Sequence, residues 1–258
     1  MSDKIVAVIP ARMGASRFPG KPLVKILDLP MIEHIRRRVN LCDVIDEVYV
    51  ATCDREIFTA VEGYGGKAIM TANTHERCTD RVQEAIQNLD CDIAVIFQGD
   101  EPLFTLEVAN QLVEPLLSDQ KILCTNLLSV IEDTTCLSDA SIIKAVLNQK
   151  NDVIYFSRAP IPYLRSSDHV LFYRQTGLSA FRKSFLNTFS QLEPTSLEVT
   201  ESIDFLRIIE HGFSVRGVIY QKQMFGVDEP EHVAIIESIL QNDQEQKKIY
   251  QEILNDEI

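Results

Sequence analysis

Long apolar runs are missing from this 258-residue chain. No stretch approaches the ~20 consecutive apolar residues that a membrane-spanning helix requires. The first residues, MSDKIVAVIPAR, hold a short apolar run but no long hydrophobic region and no cleavage-site pattern. The expectation is a soluble, cytoplasmic protein with no membrane insertion. Paired-cysteine spacing is missing too. The six cysteines (Cys42, Cys53, Cys78, Cys91, Cys124, Cys136) show no CxxC, and the five histidines form no HxxxH cluster. That argues against a zinc site or a disulfide framework and for reduced thiols. Positive charge is scarce, with a formal balance of −13. Nucleic acid, which needs a basic face to neutralise its phosphates, is therefore not an expected partner. There is no internal repeat, low-complexity tract or long linker.

What is present suits one compact α/β domain, or one with a small insertion: 45% of residues are hydrophobic and 24% charged, in a chain long enough to bury a sizeable core. Short β-rich runs at residues 5–9, 47–52, 67–70 and 92–97 alternate with helical patterns at 30–41, 55–64, 81–89 and 106–117. Pro30 suits the first helical position, Asp54 suits a helix cap, and Gly63, Gly65 and Gly66 end the second helix. Beyond these come β-leaning runs at 122–129, 142–147, 153–156 and 177–181, a helix at 202–211, a strand at 213–220 and a long helix from Pro230. In that last helix Val233, Ile236 and Leu240 form the apolar face. Residues 130–190 break the alternation and read as an insertion.

The alternation predicts a mostly parallel, doubly wound sheet, whose ligand crevice lies beyond the carboxyl ends of the strands. The segment after the first strand, within IPARMGASRFPGKPL (residues 9–23), carries Arg12, Arg17 and Lys21 among glycines and prolines with no acidic residue. Its backbone N–H groups and charge-assisted donors suit a polyphosphate. Pro22 after Lys21 excludes a Walker A loop, and GxGxxG is absent. By itself the loop is also consistent with a solvated basic segment. Two aspartates, Asp100 in QGDEP and Asp228 in GVDEP, each follow an expected strand. Two carboxylates with a triphosphate meet the oxygen-donor preference of Mg²⁺, although Asp228 also suits a cap for the terminal helix. His34 and His211 read as surface or core-edge groups, and Phe104, Phe156 and Phe172 as packing residues. A glycosyltransferase would usually carry a DxD-like motif; Asp92 and Asp100 are too far apart for one. A non-catalytic nucleotide-binding protein need not keep both aspartates.

These residues, with GGKAIMT (65–71), FQGDEP (97–102), YFSRAPIPY (155–163) and GVDEPEHV (226–233), resemble the cytidylyltransferases that activate acidic sugars, the 3-deoxy-manno-octulosonate (Kdo) cytidylyltransferase family. The resemblance implies a Rossmann-like, mostly parallel nucleotide-binding sheet of the nucleotide-diphospho-sugar transferase type. It also implies a single domain over 1–258 with a smaller dimerisation insertion, working as a homodimer with Mg²⁺. The implied reaction couples CTP to an acidic sugar such as Kdo, giving a CMP-sugar and pyrophosphate for lipopolysaccharide or capsule biosynthesis. Arg12, Lys21, Asp100 and Asp228 would be catalytic, the two aspartates holding metal. Ala11, Arg12, Gly14, Arg17, Lys21, Arg77, Thr79 and Gln98 would bind nucleotide, and Arg158, Arg165, Gln175, Ser179, Glu201 and Asp204 the acceptor.

The chain departs from the family pattern in three places. Ser-Gly-Thr reads Arg77-Cys78-Thr79, His-x-Gly-Ile-Tyr reads Gln175-Thr176-Gly177-Leu178-Ser179, and Glu-Ser-Leu-Glu-Gln-Leu-Arg reads Glu201 to Arg207 with Ile203, Asp204 and Phe205 substituted. An alternative acceptor follows: an amino-substituted Kdo, a nonulosonate or a small phosphonate. Its acid would be gripped by Arg77, Arg158 or Arg165. Arg158 and Arg165 also suit structural salt bridges. Cys78 reads as a small apolar filler or a thiol near bound anions, and His75 lies close to it.

Overall fold

The computed structural model describes residues 3–14, 17–165, 171–222 and 224–255. Ala15 and Ser16 of the basic loop lie outside them. The chain divides into two compact units, Met1–Asn110 with Met224–Ile258, and Gln111–Gln223. The expected insertion at 130–190 lies within the second unit, which is wider.

In the first unit β1 (Ile5–Ala11) is buried along its length, as a strand covered on both faces must be. A short hairpin of β2 (Lys25–Ile26) and β3 (Leu29–Pro30) follows. Then come α1 (Met31–Asn40), β4 (Glu47–Thr52), α2 (Arg55–Gly63), β5 (Lys67–Met70), α3 (Cys78–Ile86) and β6 (Ile93–Ile96). α4 (Glu107–Ser118) carries the chain into the second unit. The four long strands pair in parallel in the order β6–β1–β4–β5. Strand order therefore reverses between β1 and β6, where a doubly wound sheet opens its ligand crevice.

The second unit contains β7 (Cys124–Ile131), β8 (Lys144–Leu147), β9 (Val153–Ser157), β10 (Phe172–Arg182), α5 (Lys183–Phe189), α6 (Ser196–Glu201), α7 (Phe205–Glu210) and β11 (Arg216–Tyr220). β11 runs parallel to β7; β7–β10, β10–β8 and β8–β9 are antiparallel, with a register shift between Gln175 and Ser179. Phe181 is the hub of its core, with ring centroids of Phe205, Phe189 and Phe185 at 5.6, 6.3 and 6.5 Å. The chain then returns to the first unit in α8 (His232–Asn242) and α9 (Gln244–Asn255). Among the described residues no helix is long and apolar enough to cross a membrane.

Several local expectations are corrected. The helix expected at 202–211 is the shorter α7, and α6 before it is not among the expected elements; Ser202, whose φ of 56° leaves the helical region, ends α6. The long terminal helix is broken between α8 and α9 at extended Asp243. Pro30 precedes α1 rather than occupying its first turn. His34 is fully buried, its Nε2 2.7 Å from the Ile26 carbonyl and its ring stacked 5.4 Å from Tyr250. Asp54 sits at the cap position of α2 but makes no side-chain cap bond.

Candidate active site

The basic loop leaves β1 beside the exit of β6. A Cβ at Gly99 would lie 2.9 Å from the Pro10 carbonyl oxygen. Only glycine allows the segment after β6 to approach the end of β1 so closely. Asp100 follows at once. Its backbone carbonyl accepts from Val227 N at 2.8 Å, which brings the segment containing Asp228 to the same place from the far end of the sequence.

At this junction the expected cations and carboxylates meet. Lys21 Nζ donates to Asp100 Oδ2 at 2.7 Å and to the Val227 carbonyl at 2.8 Å. Arg17 Nη2 donates to Asp228 Oδ1 at 2.8 Å. Lys21 is mostly buried at 12% side-chain exposure, whereas Arg17 and Asp228 are 54% and 43% exposed. The inner pair is thus the less screened of the two. Lys21 opens a single 3₁₀ turn, Lys21–Leu23, directly after Gly20 at φ 74°. Arg12 and Gly14 are exposed just past β1, and Ala11 is buried at its end. Asp228 does not cap the terminal helix: the cap position of α8 is Glu231, and the Asp228 carboxylate faces Arg17.

A second patch of the first unit assembles around the start of α3. Arg77 is its cap residue and Thr79 is buried. Gln98 Nε2 donates to Cys78 Sγ at 3.1 Å, so β6 and α3 present these nucleotide-site candidates together. Two residues not singled out in the sequence hold the preceding loop. Glu84 accepts from Ala72 N at 3.0 Å and pairs with His75, and Arg81 Nη1 donates to Thr71 Oγ1 at 2.5 Å. Burial pushes the Glu84 carboxyl up, but the Ala72 N–H and His75 outweigh it and hold it below the usual range. The signal was their spacing on α3, where residues three apart share a face.

The acceptor candidates lie in the second unit. Arg158, a candidate for gripping an acid or for a structural salt bridge, donates to two backbone carbonyls, Nε to Glu201 and Nη1 to Ala140, each at 2.8 Å. Carbonyls at the ends of α6 and of the 139–142 loop need donors, and the guanidinium fork supplies two. The Glu201 carboxylate accepts from Ser157 Oγ at 2.6 Å and Arg158 N at 2.9 Å. Burial raises its pKa, and these donors overcome that to keep it below the usual range. Beside them Lys144 is wholly buried, donating to the Asp139, Ile142 and Arg158 carbonyls; burial lowers its pKa. Ser179 is 3% exposed, opposite Asn126 in the ladder. Gln175 is half-buried, its N bonded to the Ile143 carbonyl. Asp204 is the cap residue of α7, and Arg165 is exposed.

Comparison with known proteins converges on one family. The family model described as "Cytidylyltransferase" matches residues 6–229. The chain is 39% identical over 242 residues to the 3-deoxy-manno-octulosonate cytidylyltransferase of Syntrophus aciditrophicus, covering 92% of this chain and 98% of that one. With the enzyme of that name from Escherichia coli it shares 38% identity, covering 88% and 92%. A solved CMP:2-keto-3-deoxy-manno-octonic acid synthetase complexed with CTP superposes with a TM-score of 0.89 at 36% identity, covering 93% of this chain and 99% of that one. The chain belongs to the cytidylyltransferase family of nucleotidyltransferases, among its 3-deoxy-manno-octulosonate members.

Proposed function

We propose that this enzyme transfers the cytidylyl group of CTP to 3-deoxy-manno-octulosonate, releasing pyrophosphate and supplying an activated sugar for lipopolysaccharide assembly. The observation that carries the chemistry is the meeting of Lys21 with Asp100 and of Arg17 with Asp228 at the β1–β6 reversal. In this reading Lys21, Arg12 and Arg17 bind the triphosphate, and the loop amides after β1 orient it. The sugar hydroxyl attacks the α-phosphorus, its O–P bond forms, and the bond to the pyrophosphate oxygen breaks. Such a displacement needs positioning and charge neutralisation more than covalent help, which suits a site of cations beyond the carboxyl end of a central strand. Gln98, Arg77 and Thr79 are the candidates for the nucleoside end.

Asp100 and Asp228 are a fitting donor pair for Mg²⁺, because both are carboxylates, both retain exposed oxygen, and their segments touch. Among the described residues no group of three or more His, Cys, Asp or Glu side chains converges. The protein therefore supplies only part of a coordination shell, as is usual for Mg²⁺ carried in with a nucleotide. Bound there, Mg²⁺ would lower the pKa of the attacking hydroxyl and draw charge from the leaving pyrophosphate.

The acceptor, the assembly and the location belong to the same proposal. Gln175, Ser179 and Asp204 depart from the family pattern and all lie in the second unit, which supports testing other acids beside Kdo. Exposed Ile154, Tyr163, Leu164, Leu171 and Val199, also in the second unit, support a homodimer that covers them. Six free cysteines support a reducing cytoplasm.

The test is pyrophosphate release from CTP with Mg²⁺ across Kdo, its 8-amino analogue, a nonulosonic acid and two small phosphonates, with Asp100→Ala as control. Turnover of Kdo, lost in the control, is expected. Turnover of another acid with Kdo inert would replace the acceptor, and no release with any acid would sink the reading. Sedimentation at micromolar protein checks the dimer, which a purely monomeric boundary would refute.

A further inference from the structure

Asp54 lies at the crevice end of the sheet, just beyond β4, and the catalytic reading gives it no task. Its position is that of a helix cap, and aspartate there ordinarily accepts from the helix's own first-turn amides. It makes no such bond. Its Oδ2 instead accepts from Met13 N at 2.8 Å, 41 positions earlier in the chain and inside the basic loop. The strand register explains why it reaches: Ala11 is paired with Thr52, so Met13 leaves β1 where Asp54 leaves β4.

Both ends of this contact are fixed. Asp54 N donates to Thr52 Oγ1 at 3.1 Å, and Thr52 has no exposed surface. The Met13 carbonyl accepts from Gly20 N at 2.9 Å, and the Gly20 carbonyl accepts from Leu23 N at 3.0 Å. Gly20 immediately precedes Lys21, and Met13 immediately follows Arg12. Through Met13 a single carboxylate thus sets the backbone that carries both cations. An acidic group beside a triphosphate site is otherwise unfavourable by like-charge repulsion, which a role as loop anchor accounts for.

We propose that Asp54 is a positioning residue: by holding the Met13 amide it keeps Arg12 and Lys21 in register for the triphosphate. The proposal rests on the cytidylyltransferase reading. Misplacing binding groups by about an ångström costs up to ~100-fold, and loss of one anchor in a loop with a second closure at Gly20 is expected to cost about tenfold.

Asp54→Ala, Asp54→Asn and Asp54→Ser separate the explanations. Asparagine keeps an acceptor at the same reach. Serine is a good helix cap but too short to reach Met13. The expected result is a KM for CTP raised about tenfold in the alanine and serine variants, with kcat and the acceptor KM within threefold of wild type, and near wild-type KM in the asparagine variant. Rescue by serine rather than asparagine would make Asp54 a cap only, and an unchanged CTP KM in the serine variant would remove the role. Hydrogen exchange at residues 13–20 supplies a readout independent of catalysis. It should quicken in the alanine and serine variants and not in the asparagine variant. If wild type released no pyrophosphate with any acceptor, the functional reading would fall, while the exchange result would still decide whether Asp54 anchors the loop. Exchange unchanged in all three would overturn the anchor.

Discussion

The first unit carries three successive arginines inside the fold around one glutamate, whereas the second, beside its buried Glu198–Arg207 pair and Lys144, builds its core around a cluster of phenylalanines. Glu33 has no exposed surface and accepts from Arg36 Nε at 2.9 Å and Arg37 Nε at 3.2 Å. Arg37 Nη1 reaches the Ile253 carbonyl, and Arg38 Nη1 reaches Phe104 O and Gln246 Oε1. The second unit gathers Phe156, Phe181, Phe185, Phe189, Phe205 and Phe213 into one contact network. The lesson concerns tolerance. An aromatic cluster accepts a change of shape by repacking, whereas a buried ion pair accepts no loss of a partner, because the remaining charge has no water.

The sharpest way to break that contrast is Glu33→Ala. Leaving the Arg36 and Arg37 guanidinium groups buried without their carboxylate should cost about 3–5 kcal/mol in urea unfolding. A cost below ~1 kcal/mol would mean that the pair is solvated and the contrast false.

Next in size is a pH effect confined to the first unit. Burial, foremost, lowers the His34 pKa from 6.5 to about 4. Between those values the unfolded chain binds more protons than the folded one. Stability contributed by neutral His34 is therefore complete above pH ~6.5 and lost as pH falls toward 4, by roughly 3 kcal/mol. The difference in unfolding free energy between wild type and His34→Gln should shrink by that amount from pH 7.5 to 4. A difference flat with pH would refute it.

Phe181→Leu should cost only about 1–2 kcal/mol, since the neighbouring rings can close part of the gap. A loss as large as that of Glu33→Ala would put both units in one class. Smallest is Lys67→Ala. Lys67 Nζ lies 2.8 Å from Glu47 Oε2 on an open edge at 58% exposure, and thermal unfolding should register no more than about 0.5 kcal/mol.

How much could be read beforehand follows the same division. The strands Ile5–Ala11 and Ile93–Ile96 fall close to where their apolar runs place them, because a parallel strand covered on both faces must be nearly uniform in polarity. In the second unit β10 begins at Phe172, five residues before the expected run, since Tyr173, Arg174 and Gln175 are polar or half-buried and pair across to β7 and β8. α5 escaped notice because its seven residues are too few to show a helical period. At the site, residue type announced the cations and carboxylates. Nothing local announced that Arg158 would clamp carbonyls, that Asp54 would reach Met13, or that Arg81 and Glu84 would pin the loop before α3.

The sequence by itself determined the chemistry on offer: a basic glycine-containing loop after the first strand, two aspartates after later ones, and in its first half an alternation of strands and helices that suits a doubly wound sheet. The tertiary structure decided the pairings. Asp100 and Asp228 are 128 positions apart in sequence, and whether they share a site depends on a Gly99 close approach and a Val227–Asp100 backbone bond that no local pattern encodes. It also decided that a helix written with three successive arginines would be buried, because α9, from the far end of the chain, brings the carbonyl and amide acceptors that make such burial affordable.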